Sequence, residues 1–201
     1  MSDYESLQKL AYGLVVIMLI FNFLGSTVVY EEEIDMVEDP ADVMFYLDEI
    51  ELKAGGDKLS YSYSEFGFSE MEEVMTNLGY LTLLTLLASA FFAWKIKEVI
   101  EGSDDLEIIQ KAGYAVSILA ILSALYPVYA IPNALEDDWK SGPFDEGDGF
   151  DYDGGFMGDQ KIDDPDWGEV EIDSGPGTGW YLLVLGGILG FVIYTRVNNL
   201  D

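Results

Sequence analysis

AGYAVSILAILSALYPVYAI, from Ala112 to Ile131, is a run of twenty residues without one charged side chain. The hydrocarbon core of a bilayer takes about 20 residues of helix, so this stretch reads as a membrane span. Three further stretches read the same way, 10–30, 77–94 and 179–195, and none of them carries Lys, Arg, Asp or Glu. A single short apolar run also fits a buried helix of a soluble domain, but four charge-free runs of this length do not. The expected fold is therefore an all-α transmembrane four-helix bundle.

The charges lie elsewhere. The chain of 201 residues holds 38 acids against 9 bases, a net charge of −29, yet half of it is hydrophobic. Residues 31–75 carry 15 acids and 2 bases, and residues 136–177 carry the same numbers. The chain thus divides into an N-terminus (1–9), the four spans, acidic loops at 31–75 and 136–177, a short connection at 95–111 and a C-terminus (196–201). Bases near span ends set orientation. Lys9, Lys95, Lys97, Lys111 and Arg196 fall on one side, whereas on the other only Lys140 lies close to a span. Both termini and the 95–111 connection are therefore expected in the cytoplasm of a multi-pass cell-membrane protein, with the acidic loops extracellular. Met1 to Glu5 with a single base at Lys9 reads as a retained segment rather than a cleaved signal.

Composition also removes chemistry. With no His and no Cys, there are no disulfides, thiol nucleophiles or imidazole bases, and the usual zinc and haem ligands are missing. Acid pairs such as Asp137-Asp138 and Asp163-Asp164 arise readily among 38 carboxylates, and no nucleophile or ordered motif accompanies them. An enzyme is not expected. Nor is a nucleic-acid partner, since no basic surface is present to neutralise phosphates.

Lipid gives helices no hydrophobic reason to associate, so small residues that let backbones approach are the candidate seams. Gly113, Ser117, Ala120 and Ala124 form one stripe of the third span, and Gly186 and Gly190 form a GxxxG pair in the fourth. Asn22 in the first span is read as an interhelical hydrogen-bonding residue. Trp94 to Glu101 continues the second helix to a stop at Gly102, giving a helical hairpin over 95–111. Ser69-Glu70-Met71-Glu72 reads as a capping box that starts the second helix early, and Pro127 is expected to kink or loosen the last turn of the third span.

The loops contain apolar residues that need a core. Leu59 to Ser64 alternates at period two, the mark of a half-buried strand. Residues 43–47 and 50–52 are expected to pair with it across Ala54-Gly55-Gly56-Asp57, although Asp39-Pro40 also fits the start of a short helix over 40–48. Glu169 to Ile172 alternates too. A small antiparallel β domain built from both acidic loops follows. The glycine-rich acidic run 145–155 invites a calcium ion, for which Asp148, Asp151, Asp153 and Asp159 are the candidate ligands. Its spacing does not match an EF-hand, and a solvated acidic loop with no cofactor is the favoured reading.

Four spans, cytoplasmic termini and strand signals in the first outer loop resemble the claudin and peripheral-myelin-protein tetraspan group. The likeness covers the whole chain as topology. That group's first loop carries a Trp, a Gly-Leu-Trp triplet and two Cys, whereas residues 31–75 have neither Trp nor Cys. The resemblance implies a non-enzymatic structural, adhesive or accessory membrane protein. Its expected partners are the lipid bilayer and another membrane or envelope protein, or a second copy. The alternative is a cation channel or transporter, or a calcium-responsive membrane protein, since an acidic exterior concentrates cations.

Overall fold

The computed structural model describes residues 3–24, 28–35, 40–102, 106–141, 155–164 and 168–200. Five helices and six strands follow in the order α1 (Asp3–Phe23), β1 (Tyr30–Asp35), β2 (Ala41–Phe45), β3 (Ile50–Ala54), β4 (Asp57–Tyr61), α2 (Tyr63–Phe66), α3 (Ser69–Ile100), α4 (Leu106–Ser141), β5 (Gly158–Asp164), β6 (Gly168–Pro176) and α5 (Thr178–Val197). Helices α1, α3, α4 and α5 are long and apolar enough to cross a membrane, the pattern of a multi-pass membrane protein. The chain forms two compact units, one of Met1–Leu24, Gly79–Leu125 and Leu182–Asp201, the other of Gly25–Leu78 and Tyr126–Tyr181.

The helices differ from the apolar runs at their ends. Helix α1 stops at Phe23, and Tyr30, read as the end of the first span, instead opens β1. Hydropathy cannot separate the two, because Val28, Val29 and Tyr30 are as apolar as a span but suit a strand. At 32 and 36 residues, α3 and α4 rise about 48 and 54 Å, well beyond the ~30 Å a bilayer core requires. Helix α4 runs through both Pro127 and Pro132 to Ser141, so the third span does not fray at its prolines and the second loop begins as helix. Gly102, with φ +108°, stops α3 as expected.

The six strands form one antiparallel sheet in the order β4-β3-β2-β1-β6-β5. The first loop supplies β1 to β4 and the second supplies β5 and β6, joined where β1 pairs with β6 from Tyr30↔Pro176 to Asp35↔Glu171. Gly55 (φ +58°) and Gly56 (φ +89°) make the two-residue turn between β3 and β4, since a type I′ hairpin needs positive φ at both positions. The strand reading of this stretch holds, as β2 over 41–45 rather than a short helix, but two details are corrected. Strand β2 pairs with β1 and β3 rather than with β4. Strand β4 ends at Tyr61 because Ser62 and Glu65 form a capping box that opens α2.

One face of the sheet is apolar. Tyr30, Ile34, Val43, Phe45, Ile50, Val170 and Ile172 are buried there. A chain of aromatic contacts organises this core: Trp139–Phe68 (5.4 Å), Phe68–Phe45 (6.0 Å), Phe45–Tyr30 (5.8 Å), Tyr30–Phe156 (5.6 Å) and Phe156–Trp180 (5.5 Å). Such ring pairs contribute about 0.5–1.5 kcal/mol each beyond their buried area.

The start of α3 also departs from its sequence reading. Ser69 lies inside the helix, and the backbone N–H groups of Glu70 and Met71 donate to the carboxylate of Asp138 at 2.9 and 2.8 Å. Asp138 is fully buried and comes from the far end of α4. It satisfies two of the unpaired amides that every helix start leaves and suits the positive end of the helix dipole. Asp138→Ala should lower stability by about 1–3 kcal/mol, the cost of stranding buried donors, and Asp138→Asn by less. Denaturant unfolding of the detergent-solubilised protein checks this, and equal stability of Asp138→Ala and wild type would remove the cap from the account.

Candidate functional site

The second face of the sheet is where the acids gather. In β1 the side chains alternate, so Glu31, Glu33 and Asp35 are exposed while Tyr30, Glu32 and Ile34 are buried. The strand register then sets their neighbours. Glu33 lies directly opposite Asp42 of β2 and Asp173 of β6, and Asp173 lies opposite Asp159 of β5. Asp42, Glu33, Asp173 and Asp159 thus form one row of carboxylates across four adjacent strands. Directly opposed residues have Cβ atoms about 4.5–5.5 Å apart, and like charges at that spacing repel. Beyond the row, Asp35 faces Glu171.

The bases on this face flank the row, with Lys53 of β3 directly opposite Asp42 at one end. Lys58 pairs with Glu51, and Lys53 lies 3.9 Å from the same carboxylate. Hydrogen bonding to Glu51 holds the Lys58 ammonium above its ordinary pKa. Lys161 pairs with Glu171 at 2.8 Å. Among the described residues, Glu31, Glu33, Asp35, Asp42, Asp159 and Asp173 enter no ion pair. A groove of about 380 Å³ runs over this surface, lined by Glu31, Glu33, Asp42, Met44, Lys53 and Asp173. Met44 forms part of its wall and receives the Lys53 ammonium at 3.6 Å and the Tyr46 hydroxyl at 3.8 Å. Burial raises the pKa of the Tyr46 phenol, so it stays neutral and donates.

Of the four candidate calcium ligands, Asp148, Asp151 and Asp153 lie outside the described residues, and Asp159 stands exposed at the end of the row. Among the described residues no three acids are grouped so as to hold a metal ion.

The candidate packing residues fall on the helix seams. Thr82 of α3 donates to Asn22 Oδ1 of α1 at 3.0 Å, and Asn22 Nδ2 donates to the Met18 carbonyl at 2.8 Å. A Cβ on Gly186 would lie 2.7 Å from Met18 of α1, and one on Gly190 would lie 2.8 Å from the Ala120 methyl and 3.2 Å from the Ser117 carbonyl of α4. A Cβ on Gly113 would lie 2.6 Å from Val197 and 3.2 Å from Phe92, and one on Gly187 would lie 3.1 Å from the Ala124 methyl. The Ser117 hydroxyl donates back to the Gly113 carbonyl at 2.7 Å. Three contributors escaped the sequence reading. Gly187 is masked by the GxxxG pair around it, and the Thr85–Ser123 hydroxyl contact of 3.1 Å joins residues from separate spans. The third is the carboxylate row, which exists only in the observed register.

No protein-family model matches the chain, and no curated protein sequence is similar to it.

Gly190→Leu should reduce folded yield, because its Cβ meets backbone and a methyl that cannot swing aside; overpacking of this kind costs about 1–3 kcal/mol or more. Gly79→Ala, with nothing within 4 Å, should be tolerated. Monodisperse yield after detergent extraction separates them, and equal yields would place Gly190 outside the seam.

Proposed function

We propose that this is a non-enzymatic integral membrane protein with a structural, adhesive or accessory role, in which the acidic sheet face is the contact surface. The observation that carries the proposal is the exposed row Asp42, Glu33, Asp173 and Asp159, set across four paired strands with no ion-pair partner among the described residues. A surface of one sign steers and selects an oppositely charged partner. The fitting occupant is therefore a basic patch of another membrane or envelope protein. A second copy presenting the same face would add repulsion.

Placement outside the cell is part of the proposal. Five bases lie at the ends of α1, α3, α4 and α5 away from the sheet segments, which by the positive-inside rule puts both termini in the cytoplasm. A claudin-like tetraspan arrangement, four spans with a strand-rich first outer loop, is the framework this adopts. Inside the bundle the hydroxyls of Thr85, Ser89, Ser117 and Ser123 donate to carbonyls of their own helices or to each other. Engagement of that kind supports packing rather than a conduit for ions.

Two experiments test the proposal. The chain has no Cys, so single cysteines report without background. Ser60→Cys in intact cells should react with an impermeant thiol reagent, and Glu107→Cys should react only after permeabilisation; the reverse pattern overturns the orientation. A protein that co-purifies with the wild type from native membranes should be lost from Glu31→Lys/Asp42→Lys/Asp173→Lys and retained by Glu107→Lys. Retention by the triple variant would move the contact surface off the sheet.

A further inference from the structure

The carboxylate row has a consequence for the sheet itself, independent of any partner. Strands β1 and β6 come from loops separated by the two long helices α3 and α4, and their pairing is the seam that makes one sheet of two loops. On the acidic face every charged pair that spans this seam is a like pair: Glu33 opposite Asp173 and Asp35 opposite Glu171. Two of the next pairs outward are like pairs as well, Glu33 opposite Asp42 and Asp173 opposite Asp159, while Glu171 faces Lys161. The bases stand outside the seam itself: Lys53 lies opposite Asp42 at the outer end of the row and near Glu51, Lys58 pairs with Glu51, and Lys161 pairs with Glu171. The seam closes because its other face joins Tyr30 and Ile34 to Phe45, Phe156 and Ile172, so apolar packing works against charge across a single pair of strands.

We infer that the β1–β6 seam is an ionic-strength-sensitive element, whose opening is suppressed by general screening of the row and not by a specific bound ion. The dimensions fix the range of salt in which this happens. The Debye length is about 10 Å at 0.1 M and about 3 Å at 1 M, whereas neighbours in the row stand about 5 Å apart. Ordinary buffer leaves the nearest pairs repelling each other, and only molar salt screens them. Seam stability therefore keeps rising between 0.1 and 1 M rather than levelling off early.

Amide hydrogen exchange of the full-length protein in non-ionic detergent reads the seam directly, through peptides covering residues 30–35 and 171–176. Protection there should increase about tenfold between 0.1 and 1 M salt, the effect of several directly opposed like-charge pairs, and equally in NaCl and KCl. Glu33→Lys sets a base between Asp42 and Asp173, so its protection at 0.1 M should exceed that of the wild type and fall as salt is added. Glu33→Gln, which adds no bulk, should also gain protection at 0.1 M and flatten the salt dependence. Asp48→Asn, an equal charge change away from the row, should leave the wild-type slope intact. A flat wild-type response, or no gain at 0.1 M in Glu33→Gln, overturns the inference. So does a rise in protection produced by submillimolar CaCl₂ at constant ionic strength, since that would signal a defined ion site.

Discussion

Pairing of β1 with β6 is the constraint on which the sheet depends. At one end it is locked by an unusually close approach: a Cβ on Gly177 would lie 2.6 Å from the Val28 carbonyl oxygen and against a Val28 methyl. The amide of Gly177 donates to the Val29 carbonyl at 3.3 Å, and that of Gly179 donates to the Val28 carbonyl. The chain leaving β6 and the chain entering β1 thus grip one another just outside the sheet. That grip sets the register of six residue pairs. A slip of one residue would turn Glu31 and Glu33 toward Phe45 and send Tyr30 and Ile34 to water, an exchange that apolar burial forbids.

With the register held, the two faces of the sheet follow from a period-two sequence. Tyr30, Ile34, Val43 and Ile172 are drawn into the aromatic core, and the alternate positions are left for carboxylates. Glu32 breaks the pattern, lying on the buried face opposite Val43 and Ser174 and only 1% exposed. Electrostatics alone would not choose this sheet. What holds it is the run of rings from Trp139 to Trp180, which links the end of α4, the start of α3, two central strands and the start of α5 within one unit.

How much of this was legible in the sequence depended on whether the deciding interaction was local. The four apolar helices could be read because length and absence of charge are properties of a single stretch, and Gly55-Gly56 announced its own turn. The end of helix α1 is not legible from hydropathy, because Val28, Val29 and Tyr30 satisfy it whether they sit in lipid or in a strand. Ser69 is the local candidate for the cap on α3, whereas the acceptor is Asp138, 67 and 68 residues further along the chain from the amides it binds. Asp138 was visible only as half of an acid pair. Residues 41–45 carried both helix and strand signals, and pairing with β1 and β3 on either side decided between them. The carboxylate row was the least legible feature, since it belongs to no segment: its four members come from four strands and become neighbours only through three separate registers.

The two compact units solve opposite electrostatic problems. Among the helices no charge lies within the apolar cores, and polar side chains are few, small and satisfied close to home: Thr82 with Asn22, Thr85 with Ser123, and Ser117 with its own helix. A hydroxyl that bonds its i−4 carbonyl presents little more than a methyl to its neighbour, which is how Ser117 can lie against Gly190. The sheet carries its polarity on one open face, where a row of carboxylates without ion pairs among the described residues is left to water and counter-ions. Burying that face against an apolar or acidic surface would strip the carboxylates of solvent without compensation, at a cost that rises with each one covered. A basic surface alone restores what hydration supplied. On the proposed reading, the sheet would discriminate among partners chiefly by what it excludes, and a partner would have to bring cations to the row.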